Sequence, residues 1–287
     1  MERYASSTSL PDLPENCITH ILSLTTPRDV CRSSAVSSSF LSAASSDYVW
    51  ERMLPPDIHQ LLSRVSRPIP FSSKKELFFG LCSSPLIIDF DRKSFSLDRS
   101  SGKKCFMLSA RELTIIWSDH EQYWRWINLP ESRFPEVAEL LNVCWLDISG
   151  KISVADLSPS TRYAAYFVFK HTNSSYGLDL SPAKLSIRVN DSPQVLSEHE
   201  AFIHPENAVA RSRRSRRGAA GFRWRATESP PRSALCPRKG YGEWMEVEVG
   251  EFFTDDEGGE ADFSLMQTAG QWKSGMLLEG LEIRPKY

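Results

Sequence analysis

Two periods of apolar and polar residues divide the chain. Up to about Leu81 the apolar positions recur at helical spacing. Cys17, Ile18, Ile21 and Leu22 share one face of a short helix that begins at Pro14, where a missing N–H costs nothing. Thr26-Pro27-Arg28-Asp29 predicts a second start, with Thr26 as N-cap, Pro27 in the first turn and Asp29 on the positive end of the helix dipole. Val36, Phe40, Leu41 and Ala44 form a third stripe. Asp47 caps a fourth that carries Tyr48, Val49, Trp50, Met53 and Leu54, and Pro55-Pro56 ends it. Ile58, Leu61, Leu62 and Val65 predict a helix over 57–65, and the Ser73 to Glu76 spacing predicts a capping box before Leu77, Phe78 and Leu81.

From about Phe95 the period falls to two. Strands are predicted at Phe106–Leu108, Leu113–Trp117, Tyr123–Ile127, Cys144–Ile148, Tyr163–Lys170, Leu185–Val189 and Glu243–Val249, with a helical turn at Glu136–Leu141. Phe263–Gln267 and Met276–Arg284 close the chain as a pair of strands, joined to what precedes by an acidic hairpin loop at Asp255–Glu260. Many short strands between turns predict an antiparallel sandwich. The fold class is therefore α+β, with short helices first and an all-β sandwich of jelly-roll type after them. Residues 1–12 read as a disordered N-terminus, 13–54 as a helical subdomain, 55–94 as a helical linker bracing it and 95–287 as the sandwich. Within the last, 191–239 lacks any period and contains an arginine run, Arg211–Arg217, which predicts a solvated, disordered insertion. The competing reading of that run is an import or polyanion-binding patch.

Composition changes this picture little. A net charge of −2 gives no global field for nucleic acid. Six scattered cysteines with no Cys-x-x-Cys pair read as reduced thiols of an intracellular protein. No secretory or membrane-spanning segment is visible. Eight tryptophans are many for 287 residues, and rings that are costly to hide become candidates for binding. Trp244 shares a strand face with Glu246 and Glu248 and so is expected at the surface, whereas Trp145 and Trp272 are expected to be structural. Alternation in Tyr123-Trp124-Arg125-Trp126 pushes Arg125 outward and Trp124 inward. Glu246 and Glu248 lie roughly 7 Å apart along a strand, near glycosidase spacings, but no apolar pocket is evident to raise one pKa. The six histidines show no metal spacing, and no phosphate loop or nucleophile elbow appears. Catalysis, metal and cofactor are not expected.

The first stretch resembles the F-box. The resemblance rests on Leu13-Pro14, Ile18, Ile21-Leu22-Ser23, Pro27, Asp29-Val30, Val36-Ser37 and Val49-Trp50, with Phe40 where the family often has Trp. It implies docking of the small adaptor that joins such chains to a cullin-based ubiquitin ligase. The residues implied in that contact are Leu13, Pro14, Ile18, Ile21, Leu22, Pro27, Val30, Val36, Phe40 and Trp50, with helix-in-groove packing as the physical mode.

Lys103 to Tyr287 resembles the phloem lectin family, phloem protein 2 and the related tobacco lectin. The carrying motifs are Ser109-Ala110-Arg111-Glu112-Leu113, Ile115-Ile116-Trp117, Tyr123-Trp124, Glu136–Ile152, Tyr163–Lys170, Glu243–Val247, Gly250–Phe253, Trp272–Gly275 and Gly280–Pro285. The resemblance implies a β-sandwich that in some members binds N-acetylglucosamine oligomers or N-glycan cores, with Trp117 and Trp124 as the stacking rings. Together the two resemblances imply a flowering-plant substrate receptor of a ubiquitin ligase, at work in cytoplasm and nucleus. Its expected partners are the adaptor, a cullin through it, and a target protein, glycosylated or not. The alternative is a stress lectin that acts without the ligase.

Overall fold

A computed structural model describes residues 13–65, 70–189, 195–204, 237–255 and 258–287. The arginine run and most of 191–239 lie outside the described residues, as do residues 1–12. The chain divides into two compact units, Met1–Asp89 with Phe95–Cys105, and Phe90–Ser94 with Phe106–Tyr287.

Among its described residues the first unit contains six helices: α1 (Glu15–Ser23), α2 (Pro27–Ser33), α3 (Ser38–Ser45), α4 (Asp47–Met53), α5 (Ile58–Ser63) and α6 (Lys74–Ser83). Their starts follow local chemistry. Thr26 Oγ1 accepts from Asp29 N at 3.2 Å, and Ser73 Oγ accepts from Glu76 N at 3.1 Å. Glu76 completes its box one residue early, on Ser72 N at 2.7 Å. Asp47 lies within the first turn of α4, and its carboxylate accepts from Lys74 N at 2.8 Å, tying α4 to α6. Two strands follow, β1 (Leu86–Ile88) and β2 (Lys93–Leu97). Phe95–Cys105, expected with the sandwich, packs instead with the helices. A side chain at Gly102 would meet Met53 O at 2.9 Å, and Lys104 Nζ bonds Asp57 at 3.0 Å.

The second unit is built on β3 (Lys104–Ser109), β4 (Thr114–Ile115), β5 (Trp124–Ile127), β6 (Val137–Leu140), β7 (Leu146–Ser153), β8 (Thr161–Tyr176), β9 (Ala183–Val189), β10 (Ser197–Ala201), β11 (Arg238–Lys239), β12 (Met245–Thr254), β13 (Glu260–Gln267) and β14 (Ser274–Pro285). One sheet runs β3-β14-β8-β12-β11, with β6 pairing both β14 and β5. The other runs β10-β9-β13-β7-β4. The two meet through apolar faces: Phe252 of β12 lies 5.5 Å from Phe263 of β13, and Gly150 of β7 leaves room for Leu281 of β14.

Four expectations change here. Glu136–Leu141 is strand rather than helical turn, because Val137–Leu140 finds hydrogen-bonding partners in Trp124–Ile127 and in Leu277 and Leu278. Long-range pairing overrides the local preference. The two terminal strands do not pair with each other. β13 joins β7 and β9, whereas β14 joins β3, β6 and β8. The segment after Thr254 is consequently a crossing between sheets and no hairpin loop; residues 256–257 within it lie outside the described residues. Lastly, Ser197–Ala201, inside the expected insertion, pairs with Ala183–Ile187.

At Gly280 a β14 backbone crosses β3 so closely that an added Cβ would stand 2.0 Å from Leu108 O. Gly280→Ala is expected to destabilise the sandwich by about 3 kcal/mol. Differential scanning calorimetry should register a fall of roughly 6–12 °C in its transition.

Candidate functional site

The helical unit sorts its apolar residues in a way the pattern did not reveal. Ile18, Leu22, Val30, Ala43, Ala44, Val49 and Trp50 are buried, and Pro27 joins them. The Trp50 indole donates to Ala44 O at 2.7 Å, and its ring sits 5.1 Å from both Phe78 and Phe79. Ile18, Leu22, Pro27, Val30 and Trp50 are therefore the unit's own core and do not present free anchors. Short helices bury little, so each large side chain that can reach the centre is drawn in. Leu13 and Phe40 are half-buried, and Pro14 is exposed. Ile21 and Val36 remain outside, with Val36 68% exposed. Leu24, Leu41 and Tyr48 are also exposed, and the sequence reading did not assign them to the contact. Apolar groups left in water on so small a unit are its candidate docking surface.

In the sandwich the two tryptophans expected to stack on a ligand part company. Trp124 is 2% exposed, and its indole donates to Ile116 O at 3.1 Å. Arg125, next along β5, points outward to Glu139 at 2.7 Å, as the alternation required. Trp117 has a left-handed backbone (φ 62°), is 38% exposed and packs 5.4 Å from Tyr123. Trp244 is buried, with its indole N–H on Glu131 O at 3.3 Å and Lys170 Nζ 4.6 Å from its ring centre. It was expected outside, but the bond to Glu131 and the lysine cover it.

Trp145 and Trp272, expected to be structural, are 47% and 50% exposed. They flank one device. Val143 and Lys273 exchange backbone hydrogen bonds of 2.9 and 2.7 Å. The Lys273 side chain is wholly buried, and its ammonium donates to Cys144 O, Ala269 O and Gln271 O at 2.7, 2.9 and 2.9 Å. Three carbonyls satisfy its three donors. Two of them, Cys144 O and Gln271 O, immediately precede the two tryptophans, so one buried cation holds both ring-bearing segments. Gly177 completes the arrangement: its φ is 77°, and a Cβ would strike Trp272 O at 2.0 Å.

Gly177 also lines a cleft of about 1040 Å³ with Lys170, His171, Asn173, Tyr176, Asp179 and Glu243. The lining is rich in hydroxyl, amide and charged groups of both signs. Lys170 bridges Glu131 at 3.1 Å and Glu243 at 3.7 Å. His171 sits between Ser175 Oγ at 3.2 Å and Ile203 O at 3.0 Å, 4.4 Å from the His204 ring. Burial, outweighing the Ile203 carbonyl, holds its pKa down at about 4. A polar cleft lined by the exposed Tyr176 ring, with the Trp272 backbone against its Gly177, can orient a neutral, hydroxyl-rich ligand.

The carboxylates weighed as an acid–base pair have other partners. Glu246 bonds Arg284 at 2.7 Å, and Glu248 bonds Lys286 at 2.6 Å. Glu279 is buried among Arg133 N at 2.6 Å, Ser132 Oγ at 3.0 Å and the Tyr241 hydroxyl, and burial raises its pKa. It pins the 132–133 segment to β14 and lies against no cleft described above. Among the described residues no three metal-ligating side chains cluster.

Two outcomes check these placements. Trp124→Ala should cost about 3–5 kcal/mol, as for a core ring, whereas Trp145→Ala and Trp272→Ala should change the melting temperature by little. His171 has a folded pKa below its ordinary 6.5. The unfolded chain therefore takes up the proton first. Its contribution is complete above about pH 6.5 and is lost as pH falls from there towards 4, by up to about 3 kcal/mol. Urea midpoints measured across that range should show the slope, and His171→Gln should flatten it.

Comparison with known proteins agrees with the two-part organisation. The phloem protein 2 family profile matches residues 103–285, and an F-box-like profile matches residues 10–56. The chain is 43% identical over 274 residues to F-box protein At2g02240 of Arabidopsis thaliana, covering 95% of this chain and 79% of that one. It is 39% identical over 287 residues to F-box protein PP2-B10 of the same plant, covering 98% and 96%. With a sheet-rich domain matched almost end to end and the helical unit matched before it, the chain belongs to the phloem protein 2 family, among its F-box-bearing members.

Proposed function

We propose that this chain is the target-holding receptor of a cullin-based ubiquitin ligase, with the helical unit docked on the adaptor and the sandwich holding the target. The observation that carries the reading is the apolar surface left on the helical unit. Ile21, Leu24, Val36, Leu41 and Tyr48 stay in water although Ile18, Leu22, Val30 and Trp50 already fill the core. A partner with an apolar groove would cover them. The F-box-like match and the F-box names of the relatives support the same assignment. In this reading the chain holds its target and leaves ubiquitin transfer to other subunits. It works where the adaptor and cullin are found, in cytoplasm and nucleus.

The sandwich is read as holding a glycan of the target at the end where Trp145, Trp272 and the polar cleft lie together. Trp124 is too deeply placed to take part, and Trp117 stands as a further exposed ring. The second reading, a lectin acting without the ligase, keeps this site and drops the adaptor.

Ile21→Asp with Val36→Asp is the decisive variant. Both side chains are exposed, so the fold should survive and the melting temperature should hold. Co-purification with adaptor and cullin should fall by a factor of roughly ten or more. Undiminished co-purification would leave the lectin reading in its place. On the sandwich side, Trp145→Ala with Trp272→Ala should lose retention on immobilised N-acetylglucosamine oligomers, and the same retention in the variant would remove this site.

A further inference from the structure

The turn between β1 and β2 holds three successive non-glycine residues in the left-handed region. Asp89, Phe90 and Asp91 have φ of 55°, 55° and 65°. Such a run is costly for L residues and persists only where its surroundings enforce it. Arg64 grips the Asp89 carboxylate through Nε at 2.8 Å and through Nη2. On the other side of the turn, Arg92 O accepts from Ser109 N at 2.8 Å. What the turn displays is Phe90, 94% exposed, the most exposed large apolar side chain among the described residues.

Phe90 borders a cleft of about 530 Å³ that also includes Asp91, Arg92, Ser109, Arg111 and Phe134. Its hydrogen-bonding groups are out of balance. Ser109 Oγ is buried and has no partner among the described residues. Arg111 donates Nε–H to Glu136 at 2.8 Å and lies 3.6 Å over the Trp126 ring. Arg92 donates from Nη1 to Arg111 O at 2.9 Å and stands 3.6 Å from Glu112. Each guanidinium carries five N–H donors, so both retain donors beyond these bonds. The acceptors nearby are engaged: Glu136 by Arg111, Arg111 O by Arg92, and Pro135 O by Asn128 Nδ2 at 2.7 Å. Asp91 adds one carboxylate at the Phe90 end. The other end presents two guanidinium groups and a hydroxyl that needs a partner.

We propose that this cleft docks a peptide segment of the target, with an acidic side chain on Ser109, Arg111 and Arg92 and a neighbouring apolar side chain on Phe90. A carboxylate supplies a further acceptor at the end where Glu136, Arg111 O and Pro135 O are already engaged, and bidentate pairing with guanidinium gives it a direction. An exposed aromatic on a rigid turn is a low-entropy anchor for the apolar neighbour. The inference rests on the receptor reading only in assigning the peptide to a target; the chemistry of the cleft stands apart from the adaptor surface and from any sugar.

The test uses the full chain on an array of immobilised dodecapeptides. Each carries one Phe-Glu, Leu-Glu or Leu-Asp pair in a Gly-Ser background, beside Phe-Gln, Leu-Gln and Leu-Asn controls. Retention on the acidic peptides should exceed the amide controls by roughly tenfold. Phe90→Ser and Ser109→Ala should each reduce it by about fivefold or more. Neither variant threatens the fold: the Phe90 ring is in water, and removing an unpartnered buried hydroxyl should leave the melting temperature unchanged or higher. Equal retention of acid and amide, no retention of either, or full retention by both variants overturns the proposal. Displacement by free glutamate as effective as by acidic peptide overturns it too, since the cleft would then be a site for small carboxylates. Adaptor co-purification of the same variants reports on the F-box surface separately, so failure here is not failure there.

Discussion

The pairing of β8 with β14 is the constraint on which the sandwich depends. It runs from Tyr163 opposite Pro285 to Tyr176 opposite Ser274, and it places β14 between β8 and β3. Antiparallel register admits no slip without turning every side chain to the opposite face. Two irregularities, at Ser274/Met276 and Leu278/Gly280, break the alternation where the chain needs it broken. The second falls where Gly280 lets β3 approach. The first falls beside Gly275, whose φ is 79° and whose absent side chain leaves room for Ser175. Both termini of this ladder matter. One end leads to the tryptophan-bearing segments, and the other carries the ion-paired row of Arg284 and Lys286.

Two buried charges of this domain, Lys273 and Glu279, are engaged by hydrogen bonds where they shape a surface. Lys273 could not remain buried without three acceptors, and those acceptors come from segments that would otherwise be loose connections. The same bonds that satisfy the ammonium therefore fix Trp145 and Trp272 in place. Glu279 works likewise from the other sign of charge, ordering the 132–133 segment through Arg133 N and Ser132 Oγ. Preorganised aromatic rings bind at less entropic cost than rings on free loops. By contrast, Ser109 Oγ is buried with no described partner, and its cleft lies beside the strained turn at Phe90. The two situations separate polar groups that hold the fold from a hydroxyl that lines a cleft.

The helical unit shows how little a short amphipathic helix reveals about partners. Its stripe is shared between an inward and an outward use, and the inward use claims the residues nearest the helix axis contacts. Ile18 and Ile21 lie on one helix, three residues apart, yet one is buried and the other in water. Helix amphipathicity marks a face about a hundred degrees wide, and neighbours decide how much of that face they cover.

What the sequence determined by itself is local. Thr26, Ser73 and the prolines placed helix starts, because caps and fixed φ angles act within a turn. Alternation placed most strands and put Arg125 outside with Trp124 inside, because a strand has only two faces. The division into a helical part and a sheet-rich part followed from the change of period. Of the residues that the sequence singled out as candidates for contact, Ile21, Val36 and Trp117 are exposed. The rest was decided by the tertiary structure. Val137–Leu140 became strand because partners arrived from positions ten or more and more than a hundred residues away. Trp145 and Trp272 stayed outside, and Trp244 went in, according to which segments crossed above them. The exposed Phe90 and the Ser109 hydroxyl, which has no partner among the described residues, came together only through the fold. Hydrogen-bonded caps and strand faces are set by neighbours in sequence. Burial is set by neighbours in space, and no window of residues contains them.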